Sequence, residues 1–174
     1  MSNLNAAQLV VLKADILADP ALNSQPQNED GAFAIAAVYN TIVIPDFFVF
    51  RTKVSKSDIV NMVSPTGTTF SWSGAGGFIA RSIQEQTAWQ EIFNSDEQVN
   101  PSLANVRQAF LDIFSGAGAA AVANKTHLAA MSWRKATRVE KLFATGTGTT
   151  VSPALMAFEG PLSLQDVLLA RSLP

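Results

Sequence analysis

The chain has no cysteine, a single histidine (His127) and few charges: only 15% of its 174 residues are Asp, Glu, Lys or Arg, against about 25% in a typical globular domain. The missing cysteine removes disulfides, thiolate nucleophiles, iron–sulfur clusters and thiolate zinc sites together. One histidine cannot build a multi-histidine metal centre within one chain. Twelve Lys and Arg against fourteen Asp and Glu leave a net charge of −2, so no bulk electrostatic drive toward nucleic acid exists. Long apolar runs are missing as well. Phe33 to Val38 and Ile42 to Phe50 are the most apolar stretches, broken by Asn40, Pro45 and Asp46, and neither approaches the ~20 residues of a spanning helix. Met1 to Asp19 has no basic n-region and carries Lys13, Asp15 and Asp19, which argues against an export segment. These absences point to an aqueous compartment, no membrane, no cofactor and no metal.

What is present is enough apolar material for a core. Apolar residues make up 48% of an 18.5 kDa chain, and at that size roughly 70% of the unfolded surface is buried on folding. Leu9, Leu12, Ile16 and Leu17 repeat at helical spacing after Ser2-Asn3, and Asp19-Pro20 stops the pattern. Pro20 to Gln27 reads as a loop. Asn28 caps a second helix with Glu29 and Asp30 in its first turn and Phe33, Ile35, Ala36, Val38 and Tyr39 as its apolar residues. Ile42 to Phe50 is an extended connector with a short strand near Phe48 to Arg51. Ser55 or Ser57 caps a short helix carrying Ile59, Val60, Met62 and Val63. Ser64 to Gly77, dense in Pro, Gly, Ser and Thr, is a loop or loose hairpin.

The second half is more regular. The spacing predicts a helix over Phe78 to Asn94, and another from Asn100-Pro101, with Asn as cap and Pro at the first position, until Gly116. A long helix is predicted from about Asn124 to Ala144, followed by a Thr/Gly run over 145–150 that no regular element holds. Leu155 to Glu159 reads as a short strand. Ser163 with Asp166 forms a capping box for a final helix. The fold class is mainly α: a helical bundle of about six helices with long loops, a short β-hairpin and an extended C-terminal segment. The expected organisation is a helical domain over 1–144, with 145–174 packing on it or on a neighbouring subunit.

The basic helix is the most distinctive charge feature. Lys125, Arg134, Lys135, Arg138 and Lys141 place five of the twelve cations within seventeen residues, and Arg134, Arg138 and Lys141 share a face at helical spacing. Such a face contacts phosphate or an acidic partner, or is simply solvated. No aromatic interleaving or base-reading motif accompanies it. Gly74-Ala75-Gly76-Gly77 and Gly146-Thr147-Gly148 lack the complete glycine frame of a phosphate loop and read as flexible loops. His127 has no Gly-x-Ser-x-Gly elbow to serve, and nearby Lys125 disfavours an imidazolium. It reads as a surface or packing histidine. Glu29-Asp30, Asp96-Glu97 and Glu85/Glu91 read as ordinary surface or helix-end acids. No catalytic residue is assigned. Trp72, Trp89 and Trp133 with eleven phenylalanines exceed what a small α core hides, so some anchor an interface; Phe70, Trp72 and Phe158 are the candidates.

Several runs together resemble a family of small tailed-bacteriophage proteins. They are Leu12-Lys13-Ala14-Asp15-Ile16, Asp19-Pro20-Ala21-Leu22, Asn28 to Ala32, Ala36 to Asn40, Phe50-Arg51-Thr52, Asn100 to Arg107, Ala136 to Gly148, Ser152-Pro153-Ala154 and Phe158-Glu159-Gly160. The likeness covers most of the chain. It implies a structural or neck component, placed by size and helix content with the head–tail adaptors. Such a protein is made in the host cytoplasm and forms a homo-oligomeric ring at the head–tail junction of the virion. Its partners are the portal protein, tail or neck proteins and DNA passing through the channel. Low charge and many aromatics suit a subunit flanked by its neighbours. On this reading the loops 64–77 and 145–161 order on assembly, and a chain cut after Ala144 folds but does not join the neck. The alternatives are another capsid- or tail-associated virion component, or a DNA-contacting assembly protein using helix 125–141.

Overall fold

Side chains that accept backbone N–H groups set most of the helix starts. A computed structural model describes residues 4–93 and 96–174; the expected Ser2-Asn3 start and Asn94 end lie outside the described residues. Asn5 and Gln8 exchange hydrogen bonds and open α1 (Ala6–Ala18). Asp19 then accepts from the N–H groups of Ala21 and Leu22, so the expected loop begins with a one-turn helix, α2 (Pro20–Asn23). Pro20 suits that position because its φ is already helical. Asn28 accepts from Gly31 N and opens α3 (Glu29–Tyr39). The chain leaves this region through β1 (Phe48–Phe50).

In the middle of the chain β2 (Val54–Ser55) leads into α4 (Lys56–Asn61), where Ser55 is the cap. Met62 and Val63, expected on this helix, lie beyond its end and are exposed. The helix expected from Phe78 starts later. Phe78–Ala80 is a single 3-10 turn, and a reciprocal Ser82–Glu85 box opens α5 (Ile83–Glu91). β3 (Gln98–Val99) runs antiparallel to β2 with Val54 opposite Val99. Asn100 accepts from Ser102 and closes a turn, so α6 (Ala104–Ile113) begins at Leu103 instead of Asn100. α7 (Ala119–Met131) follows.

The long helix over 124–144 does not exist. α7 ends at Met131, the backbone extends through β4 (Trp133–Lys135), and α8 (Arg138–Leu142) is a separate element. The cause is local. Thr137 accepts from Glu140 N while the Glu140 carboxylate accepts from Thr137 N, a capping box that starts a helix rather than continuing one. β5 (Ala144–Thr145) then pairs antiparallel with β6 (Leu155–Met156), and Ser163 with Asp166 caps α9 (Leu164–Ser172). The mainly α class stands, with nine helices among the described residues where about six were expected.

Residues Met1–Val49 and Lys135–Pro174 form one compact unit, and Phe50–Arg134 form the other. The boundary expected after Ala144 falls inside the first unit. There α9 packs against α3 and α1, burying Val167 and Ala170 among Leu12, Ile16, Ile35 and Tyr39. Each large side chain so buried contributes about 1.5–3 kcal/mol. Segment 145–161 is also seated: Ala154 and Phe158 are buried, and the Phe158 ring lies edge-on to Phe143 at 5.9 Å. Of the two placements expected for 145–174, the structure has the segment packed on its own chain, so a cut after Ala144 removes part of the first unit's core. The second unit is centred on Trp89, whose ring meets Phe93 at 5.0 Å, Phe70 at 5.4 Å and Phe114 at 5.7 Å.

Candidate interaction surface

The broken helix redistributes the five cations. Lys125 and Arg134 belong to the second unit and Lys135, Arg138 and Lys141 to the first, so the expected common face of Arg134, Arg138 and Lys141 is absent. Lys125 donates to the Gly116 carbonyl at 3.1 Å, which tethers it at the end of the preceding turn. Lys135 pairs with Asp46 at 2.8 Å.

Arg138 is held most firmly. Its Nη2 lies 3.0 Å from Asp19 Oδ2 and 3.3 Å from Asp15 Oδ2, and its guanidinium stands over the Tyr39 ring at 4.8 Å. The Tyr39 hydroxyl donates to Asp15 Oδ2 at 2.5 Å. Asp15 lies in the last turn of α1, where a helix dipole disfavours negative charge, while Asp19 beyond it caps α2; Arg138 bridges the two. The hydrogen bond from Arg138 holds the Asp19 carboxyl below its usual range. Burial, then the bond to Asp15, push the Tyr39 hydroxyl well above its usual range, so it stays a neutral donor. The arrangement is a clamp between α1, α3 and α8 in which one guanidinium meets two carboxylates, leaving one negative charge in excess.

Beside the clamp lies a groove of about 620 Å³ lined by Val38, Ile42, Val43, Ile44, Leu142 and Lys141, with Asp15, Thr41 and Arg138 completing it. It is open and mostly apolar. Ile44 is 90% exposed and Ile42 48%, although both are large enough to be worth burying. Two backbone links hold the groove wall in place: Val43 N donates to the Ala136 carbonyl and Arg138 N to the Thr41 carbonyl. Lys141 is exposed at the rim with its ammonium 5.6 Å from the Phe47 ring. The sequence reads as an extended connector over Ile42 to Phe50 with a short strand near Phe48 to Arg51; the strand is β1, and the groove is the feature that reading does not contain. The available signal was the unusual density of β-branched residues in a segment too short to cover itself.

Of the three aromatic interface candidates, Trp72 is the exposed one, at 47%. Phe70 is packed with Trp89 and Phe114 in the second unit's core, and Phe158 is buried in the first. Trp72 lies edge-on to Phe78 at 5.5 Å, with Ile79 and Ile83 exposed nearby in sequence. His127 is a packing residue, fully buried, its Nε2 2.7 Å from the Ile59 carbonyl and its Nδ1 3.0 Å from the Thr68 carbonyl. The glycine segments are close-packing points. A Cβ at Gly76 would stand 2.7 Å from the Ala121 methyl, and one at Gly148 would stand 2.1 Å from the Phe47 ring. Among the described residues no three His, Asp or Glu side chains gather as a metal-ligand group, and no helix is long and apolar enough to cross a membrane.

The runs behind the family resemblance mix exposed and buried positions, and Phe50 to Thr52 and Asn100 to Arg107 belong to the second unit. Leu12, Ile16, Leu22, Ala32, Ala36, Tyr39, Val139, Phe143 and Phe158 are all buried in the first. No family model, no curated protein and no solved structure matches the chain.

Proposed function

We propose that this chain is a non-enzymatic structural subunit of a tailed-bacteriophage virion, a head–tail adaptor that forms a homo-oligomeric ring beneath the portal and links it to the tail. The observation that carries the reading is the amount of large apolar side chain left in water by a charge-poor protein. Phe33, Ile42 and Ile44 in the first unit and Trp72, Ile79 and Ile83 in the second are each 47% to 90% exposed. Scattered exposed apolar residues are ordinary, but clusters of them mark association surfaces. A ring subunit has two flanks to cover, plus the faces that meet portal and tail. The family resemblance supplies the setting: synthesis in the host cytoplasm, then incorporation at the head–tail junction.

Direct DNA contact through residues 125–141 loses support, because those cations no longer form one helix face and two of the five are paired with aspartates. A capsid- or tail-associated position remains the competing structural assignment. Gold-labelled antibody against the chain, applied to purified particles, separates the two. Label at the head–tail junction is expected; label scattered over the capsid or along the tail overturns the adaptor assignment.

A further inference from the structure

One helix carries two unsatisfied features that match each other. Phe33 on α3 is 67% exposed, and Glu29 and Asp30, also exposed, precede it by four and three residues, so all three lie on one side of the helix. The helix dipole accounts for acids in a first turn, but not for a phenylalanine left in water. At the other end of α3, Val38 forms one wall of the groove with Ile42, Ile44 and Leu142, and Lys141 stands at its rim. Arg138 in the same groove is already matched by Asp15 and Asp19, which leaves Lys141 as the cation available to an incoming carboxylate.

Phe33 and Val38 are separated by about 140° around the helix and about 7.5 Å along it. The buried stripe of Ala32, Ile35, Ala36 and Tyr39 fills the wider arc from one to the other, and Asp30, Ala34 and Ala37 fill the narrower, outward-facing one. The aromatic knob and the groove therefore flank opposite sides of that stripe. A knob and a groove about 140° apart on one helix do not fill each other within one chain. In a ring the knob of each copy meets the groove of the next, a head-to-tail contact that closes or propagates according to the rotation per subunit.

We propose that the Phe33 knob of one copy seats in the Val38–Ile42–Ile44–Leu142 groove of a second copy of this chain, with Glu29 and Asp30 facing Lys141. The contact deepens the ring reading, and it rests on that reading for closure into a ring rather than a filament. A phenylalanine side chain fits a groove of about 620 Å³, and the carboxylates at the knob meet a cation at the rim, which fixes the direction of docking.

Sedimentation velocity on the full chain tests this with Phe33→Asp, Ile44→Asp and their equimolar mixture. Both positions are exposed, so each variant should keep the wild-type circular dichroism spectrum. The wild type is expected to assemble beyond a dimer as concentration rises. Each variant alone is expected to stay monomeric. The mixture restores one intact contact, the knob of Ile44→Asp in the groove of Phe33→Asp, and should form a dimer and nothing larger. Lys141→Glu should abolish assembly, and combining it with Glu29→Lys and Asp30→Lys should restore it. A wild type that is monomeric at all concentrations or stops at a two-fold dimer overturns the contact. So does a Phe33→Asp or Ile44→Asp variant that assembles like wild type, or a mixture that stays monomeric. If the wild type forms rings that neither variant disturbs, this contact fails while the ring reading stands.

Discussion

Replacing His127 by leucine tests whether the chain's single histidine is a structural element. The imidazole is fully buried, its Nε2 2.7 Å from the Ile59 carbonyl and its Nδ1 3.0 Å from the Thr68 carbonyl and 3.4 Å from the Thr68 hydroxyl. In the tautomer with the proton on Nε2 it donates to Ile59, and Nδ1 accepts from the hydroxyl. The two carbonyls are not equally dependent on it. The Thr68 carbonyl accepts from Ser64 N at 2.8 Å and keeps that partner. Ile59 lies in the last turn of α4, where carbonyls have no intrahelical donor, so leucine leaves it buried and unmatched. That omission costs about 1–3 kcal/mol, a sizeable part of the 5–15 kcal/mol stability of a typical domain. Leucine supplies comparable apolar bulk, so the loss reports the hydrogen bond more than a cavity. Urea unfolding followed by tryptophan fluorescence is the assay, since Trp89 is buried in the same unit. His127→Gln, which retains an N–H donor, should recover part of the loss. A leucine variant within about 0.5 kcal/mol of wild type, where mutations away from structural features usually fall, would refute the assignment.

Three further outcomes are expected. The Asp19 carboxyl is held below its unfolded value near 3.8, so its stabilisation is present above that pH and is lost as pH falls through the lower folded value. Asp19→Asn should therefore lower the urea midpoint at neutral pH, by an amount that shrinks toward pH 2. Gly148→Ala places a methyl against the Phe47 ring at φ +66°. The left-handed backbone alone costs about 1–2 kcal/mol, so with the clash added the loss in thermal melts should exceed that figure; a smaller loss would contradict the close packing. Truncation after Ala144 removes Phe158, Leu162, Val167 and Ala170 from the first unit's core; circular dichroism should show lost helix, and a cooperative transition of wild-type midpoint would contradict the packing described.

Much of the local structure is legible because helix starts are written in short-range capping signals. Asn28, Ser55 (with Ser57 the alternative) and the Ser163–Asp166 pair mark helix starts within three residues of themselves. The Thr137–Glu140 box has the form of the Ser163–Asp166 pair but sits inside a run that keeps helical periodicity. Periodicity alone therefore suggests a basic helix face the fold does not contain. Non-local features were out of reach for a different reason. Nothing near Ala144 chooses between the two placements open to 145–174, or picks α1 and α3, more than a hundred residues earlier, as the helices on which α9 closes. The Arg138 clamp likewise needs Asp15 and Asp19 brought to α8 by tertiary packing. Phe33 was an intermediate case, since it falls off the stripe set by Ala32, Ile35, Ala36 and Tyr39, and that displacement is visible in the sequence alone.

The most direct test of the account is a cryo-electron map of the head–tail junction of purified particles. It predicts a ring of identical subunits between portal and tail, each with the α1–α3–α9 packing and with Phe33 of one subunit against Ile44 of the next. A junction whose densities are fully explained by other chains, with this protein elsewhere in the particle or missing from it, would contradict the adaptor assignment.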